Sequence, residues 1–263
     1  MTVHPAISAG ASFMPICGER IARCTLELGG KSAAVILDDA DFESAATALA
    51  RAECILAGQV CASLTRIVVT RQHHDQMVEA LAASFSQVKV GNQFDPESQM
   101  GPLAARRQRD RVEGYIARGV EGGAKLVTGG GRPKHLDRGW YVEPTVFANV
   151  DNSSVIAQEE IFGPVLSVVP AEDEADAVRI ANDTIYGLNS AVFTADVERA
   201  REVAAQIRAG TVGHNGFKSD SNIGFGGFKQ SGIGREGGRE GLLPFLESKT
   251  VLLDGPPARY AEY

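Results

Sequence analysis

Ala33-Ala34-Val35-Ile36-Leu37, then Asp38-Asp39-Ala40-Asp41, then an alanine-rich run to Leu56, is the stretch that decides the fold. Five uninterrupted apolar residues read as a strand covered on both faces. The acids that follow supply helix-start chemistry: side-chain oxygens for the first unpaired amides, and negative charge at the positive end of the helix dipole. Residues 42–56 then read as a helix, and residues 65–70 (TRIVVT), with adjacent β-branched side chains, as a second strand. Strand, helix and buried strand in succession predict an α/β unit with parallel pairing.

The alternation continues outward. Further strands are expected at 24–28, 165–169 (VLSVV), 190–194 (SAVFT) and 211–215, with shorter extended pieces at 88–91 and 125–127. Residues 140–150 read as extended, with Pro144 confining them to an edge or a bulge. Helices are expected at 73–87, 103–119, 172–182 and 196–208, the last capped by Asp196 and stopped by Gly210. A short helix end is expected at 16–22. Residues 1–15 contain Pro5, Gly10 and Pro15 without a clear period and read as irregular. Residues 216–241 read as a glycine-rich loop, and 246–253 (LESKTVLL) as a final strand ended by Gly255-Pro256-Pro257. The fold class is therefore α/β, a mostly parallel sheet flanked by helices.

The composition excludes several classes of function. The net charge of −7, with acids and bases mixed along the chain, argues against nucleic acid. No apolar run is long enough to span a bilayer, and residues 1–15 lack the basic start of a signal peptide. The cysteines Cys17, Cys24, Cys54 and Cys61 form no CxxC pair, and the histidines are scattered, so no metal site is expected. Free thiols in a chain of 263 residues fit a reducing, cytoplasmic setting.

Three stretches carry candidate chemistry. The first is Ala57-Gly58-Gln59-Val60-Cys61-Ala62-Ser63. Cys61 follows a helix end and precedes a strand, among small neighbours that would admit a substrate and leave backbone amides for an oxyanion. A buried structural thiol is the plainer reading of one cysteine. The second stretch holds Glu27 between leucines and ahead of Gly29-Gly30. Burial there would raise its pKa toward neutrality and suit it to activate water, whereas pairing with Lys31 or Arg23 would make it structural. The third, Glu159-Glu160-Ile161-Phe162-Gly163-Pro164, places a polar pair before an apolar turn and a buried strand, a position that often lines a ligand crevice. The run 223–236 is rich in glycine but lacks GxxxxGK[ST] and the flanking order of a phosphate loop. A cysteine hydrolase would need a histidine partner for Cys61, and the sequence offers none.

In order and spacing, ELGGKS at 27–32, GQVC at 58–61 and EEIFGP at 159–164 resemble the aldehyde dehydrogenase superfamily. Met100-Gly101-Pro102-Leu103, Glu143-Pro144-Thr145, Tyr186-Gly187-Leu188, Gly210-Thr211-Val212 with Asn215, and the Phe225–Lys229 run with Ser231-Gly232 extend the resemblance over about 16–253. It implies that Cys61 is the nucleophile and Glu27 the base. Glu160, with Phe162, Leu28 and Gly29, would hold the nicotinamide end of NAD or NADP. It implies an oxidoreductase that converts a small-molecule aldehyde to a carboxylate through a thiohemiacetal and a thioester. The family's proteins are roughly twice as long as this chain. The resemblance thus implies a remnant of the cofactor domain at 16–32, a catalytic domain at 33–241, and an oligomerisation strand and tail at 242–263 that would join a homo-oligomer. The Pro-Trp-Asn motif and the adenosine-binding lysine are not in the sequence, so weakened NAD(P) binding is expected. The alternative is a non-oxidising remnant, or a partner of longer relatives, with at most esterase-like thiol activity. Val60, Phe217 and Phe225 are expected to make the substrate pocket moderately apolar.

Overall fold

The computed structural model describes residues 5–255, and the expectations for 1–4 and 256–263 lie outside the described residues. The strands are β1 (Leu26–Glu27), β2 (Ala33–Ile36), β3 (Arg66–Thr70), β4 (Lys125–Thr128), β5 (Thr145–Ala148), β6 (Val165–Ala171), β7 (Asn189–Phe193), β8 (Thr211–His214) and β9 (Gly232–Ile233). Seven of them form one sheet in the order β4-β5-β6-β3-β2-β7-β8, parallel except where β4 meets β5. The stretch that decides the fold occupies its centre, β2 lying between β3 and β7. The other two strands, β1 and β9, pair antiparallel in a separate ribbon.

Both faces of the sheet are covered, which is why its central strands are apolar without alternation. Ala34, Ile36, Ile67 and Val69 pack on one side with Phe42, Leu49, Met77 and Leu81 from helices α2 (Phe42–Cys54) and α3 (Arg71–Ser86). Val35 and Val68 point the other way. There they meet Val112, Tyr115, Ala177 and Val203 from α4 (Arg106–Glu121), α6 (Glu174–Asn182) and α7 (Val197–Gln206). Between them in sequence lies the one-turn helix α5 (Val155–Gln158). Asp41 caps α2 by accepting from the Ser44 amide at 3.0 Å, and Asp196 caps α7 by accepting from the Glu198 and Arg199 amides. These are the roles their sequence positions imply.

Four expectations are corrected. Within the described residues, 5–15 are not irregular, because α1 (Pro5–Glu19) runs through Pro15. Ile7 is buried, and Gly10 lies so close to Leu28 that a β-carbon there would sit 2.7 Å from it, so tertiary packing outweighs the amide that proline removes. Pro144 does not mark an edge. It stands just before β5, an interior strand, where a missing N–H breaks no ladder. The glycine-rich run 216–241 contains β9 and the short helix α8 (Gly238–Leu242). Residues 246–253 form no strand. Val251, Leu252 and Leu253 are exposed, and no strand edge of this chain pairs with them among the described residues.

One buried cation fastens the sheet to α6. Arg66, 1 % exposed, donates from Nε to the Lys31 carbonyl at 3.0 Å and from Nη1 to Ile180 O and Asn152 Oδ1. Its Nη2 donates to Ala181 O, and each of these last three bonds measures 2.9 Å. The guanidinium thus closes the carbonyl end of α6, where positive charge is favoured. Arg66→Met would leave those acceptors buried without donors and should lower the unfolding free energy by on the order of 3 kcal/mol, read from the urea midpoint.

Candidate active site

The loops holding Ser32, Cys61–Ser63, Gly163-Pro164 and Gly187-Leu188 each run into the amino end of a strand, β2, β3, β6 and β7 respectively. Registers Ala33↔Arg66, Arg66↔Ser167 and Ala33↔Ser190 bring those entry points nearly level. Ligand crevices of open α/β sheets usually lie at the carboxyl ends. Here the sequence-predicted residues converge on the amino edge, where the β1–β9 ribbon covers it.

Cys61 sits beyond a distorted turn at Ile55–Gly58. Leu56 and Ala57 there have φ of 50° and 54°, left-handed values that cost a residue with a β-carbon on the order of 1 kcal/mol each. Gly58 follows at φ 71°, and a β-carbon on it would lie 2.4 Å from the carbonyl carbon of Gly163. Gln59 fixes the turn by donating to Leu56 O and accepting from the Ala104 amide. Asn189 holds the far side by donating to Ala62 O at 3.0 Å. The thiol is half-buried. Burial, then the charges of Glu160 and Glu27, push its pKa up, while the amides of Ala62 and Cys61 pull it partly back. Cys54, read beside it in the sequence, is buried and pushed up to about 12, so it is an inert core thiol.

Glu27 is the second residue of β1, opposite Gly232 in β9. Both its carboxyl oxygens are buried, and neither has a hydrogen bond of ordinary geometry among the described residues. Burial and the nearby Glu236 raise its pKa to about 7, against the pull of Arg235 and the Gly227 amide. Gly226 makes room for it, since a β-carbon there would lie 2.6 Å from Oε1. The structural alternative for Glu27 fails on both partners. Arg23 pairs with Glu247, and Lys31 is buried with Glu53, Glu160 and Glu159 as the carboxylates acting on it.

Glu160 is 4 % exposed and accepts from the Gly30 amide at 3.3 Å. A β-carbon on Gly29 would lie 2.1 Å from its Oε2, and one on Gly30 would lie 2.4 Å from the Cys61 carbonyl oxygen. The pair of glycines therefore lets the backbone pass between the Glu160 carboxylate and the Cys61 loop. Phe162, at φ 62°, turns the chain away beneath them. Leu28 and Gly29 are tied to the ribbon side by Ser231, whose carbonyl accepts from the Leu28 amide and whose Oγ donates to Gly29 O at 2.7 Å.

Sequence reasoning missed the supports. Gln108, Arg111 and Tyr115 lie on one face of α4. Gln108 donates to the carbonyls of Ile161 and Phe162, Arg111 to that of Glu160 at 2.7 Å, and the Tyr115 hydroxyl to Glu159. Their spacing of three and four along a helix is the signal that would have found them. Glu53 is fully buried and held protonated by burial, against the attraction of Lys31, whose own pKa burial lowers. Phe217 is partly buried and packs against the core on the α2–α3 side of the sheet. Phe225 stays beside the site through paired backbone bonds with Glu236, both 2.7 Å.

A model of the Aldehyde dehydrogenase family matches residues 6–251. The chain belongs to that family. It is 46 % identical over 243 residues to a putative aldehyde dehydrogenase of Staphylococcus saprophyticus, covering 92 % of this chain and 51 % of the relative. It is 46 % identical over 248 residues to the geranial dehydrogenase of Castellaniella defragrans, covering 94 % and 52 %. The crystal structure of a Mycobacterium tuberculosis aldehyde dehydrogenase complexed with NAD+ superposes with a TM-score of 0.92 at 48 % identity, covering 97 % of this chain and 52 % of that one. The chain thus spans about half the length of the curated relatives it matches. The match from residue 6 takes in all but the first residue of α1.

After burial, the charge on Glu160 is the next cause that favours the protonated Cys61 thiol. Glu160→Gln should therefore speed alkylation of Cys61 by iodoacetamide at neutral pH by about three- to tenfold, measured by timed labelling and peptide mass spectrometry.

Proposed function

We propose that this chain carries the thiol chemistry of an NAD(P)-dependent aldehyde oxidation, with Cys61 as nucleophile and Glu27 as base. The observation that supports it is a convergence. A half-buried thiol and a buried carboxyl poised near neutrality share one edge of the sheet, and each carboxylate's charge is felt at the sulfur.

In this reading the Cys61 sulfur attacks the carbonyl carbon of an aldehyde to give a thiohemiacetal, and the Cys61 amide supports the developing oxyanion. The residues fit the nicotinamide-ribose end of a cofactor. A buried carboxylate, Glu160, lies against a backbone without side chains at Gly29, flanked by Leu28 and Phe162. NAD(P)+ bound there supplies the acceptor for the hydride that leaves the substrate carbon. Glu27 then takes a proton from the water that attacks the Cys61 thioester, releasing a carboxylate and restoring the thiol. Glu27 does this only when ionised. With a pKa of about 7, its activity as a base rises through neutral pH.

The substrate class is a small aldehyde, and the setting a reducing cytoplasm that keeps the four cysteines free. Homo-oligomer formation through residues 246–253 is part of the same proposal, since Val251, Leu252 and Leu253 stand exposed. The chain's length relative to its relatives favours a second reading, a remnant that retains acyl transfer to Cys61 without oxidation.

Hydrolysis of a nitrophenyl ester needs the thiol and the base but no cofactor, so it tests the core of the proposal. Cys61→Ser should abolish it. Glu27→Gln should slow it by about 100-fold or more and remove the rise in rate centred near pH 7. Retained hydrolysis in Cys61→Ser would overturn the assignment. Aldehyde-dependent NADH or NADPH formation, together with calorimetric titration of NAD+ and NADP+, then separates the two readings. Micromolar binding with turnover supports oxidation, and ester hydrolysis alone supports the remnant.

A further inference from the structure

Two thiols outside the site meet at its border. Cys17 lies in the last turn of α1 and Cys24 two residues before β1. The chain between them doubles back. Ile21 takes a left-handed φ of 54°, and the Ala22 amide donates to the Cys17 carbonyl at 2.9 Å, closing the helix end in the manner of a Schellman turn. That closure sends the chain back along the helix end, and the Cys24 thiol comes within hydrogen-bonding reach of the Cys17 sulfur. Both residues are partly exposed, so a small reagent reaches them, whereas Cys54 is buried. Partial burial and the neighbouring sulfur push the Cys24 thiol up.

We propose that Cys17 and Cys24 form a dithiol that low-molecular-weight disulfides oxidise to an intramolecular bridge, fastening the end of α1 to the strand that carries Glu27. With glutathione disulfide as oxidant, the Cys17 thiolate attacks one sulfur, the S–S bond of the reagent breaks and one glutathione thiolate leaves. The Cys24 thiolate then attacks the Cys17 sulfur of the mixed disulfide and expels the second glutathione. The two cysteine protons end on two glutathione molecules, so the protein pair is oxidised and the reagent reduced. Neither step uses Cys61, and the inference stands or falls apart from the proposed aldehyde chemistry.

Trypsin separates the two residues, because Arg20 and Arg23 lie between them, so Cys17 falls in peptide 1–20 and Cys24 in peptide 24–31. The purified 263-residue chain is exposed to glutathione disulfide, alkylated and digested. The expected product is peptide 1–20 joined to 24–31, two hydrogens lighter than the separate thiol peptides, present in the monomer band of a non-reducing gel and lost on reduction. Cys24→Ser should instead retain glutathione on Cys17. Recovery of both wild-type peptides as separate alkylated or glutathione-bearing species overturns the inference. So does a link found only in a dimer band, or one between either residue and Cys61.

Discussion

The site depends on a backbone that has no room for a side chain. Gly29 and Gly30 pass between the Glu160 carboxylate and the Cys61 carbonyl, and a single β-carbon at either position would enter one of them. The close approach sets the rest. It lets the Gly30 amide bond Glu160, it puts Glu27 two residues upstream on the ribbon, and it carries Lys31 into the interior two residues before β2. The same economy recurs at Gly58 against Gly163 and at Gly226 against Glu27. Four segments far apart in sequence are thus held so close that a single β-carbon at any of these glycines would disturb their relative positions.

The electrostatics of the edge follow from its geometry. Helix α2 ends just before the turn that leads to Cys61, and the carbonyl end of α6 is closed by Arg66. Burial, then the charges of Glu160 and Glu27, favour the protonated form of the Cys61 thiol. A thiol activated in advance would be open to every electrophile. This one is quiet at rest, and the amides of Cys61 and Ala62 are the local groups that favour its charged form.

The central sheet was legible because its strands are covered on both sides. Ala33–Ile36 and Arg66–Thr70 read as strands from β-branched and apolar content alone, and Asp41 and Asp196 announced their helices. Cys61, Glu27 and Glu160 were legible through their motifs, and the structure brings all three to one edge. What failed was whatever depended on distant contacts. The α1 helix survives Pro15 through packing on Leu28, which no local pattern records. Residues 246–253 have strand composition but no edge to pair with in this chain. The burial of Lys31 and Glu53 left no signal in the sequence, since their spacing says nothing of a shared interior.

The two-residue ribbon of β1 and β9 has a temporal consequence. Cys61 and Glu160 are framed by the central sheet, most of which precedes residue 194 in the chain. Glu27 is framed by residues that emerge after that sheet. Gly226, Ser231 and Gly232 all reach back to residues 26–29, and the Ser231–Gly29 bond spans 202 positions. Closing so long a loop is slow relative to local pairing. During synthesis the loop around Cys61 is therefore shaped before the ribbon that carries Glu27 is seated, and the sulfur passes through a stage in which its pocket lacks that carboxylate.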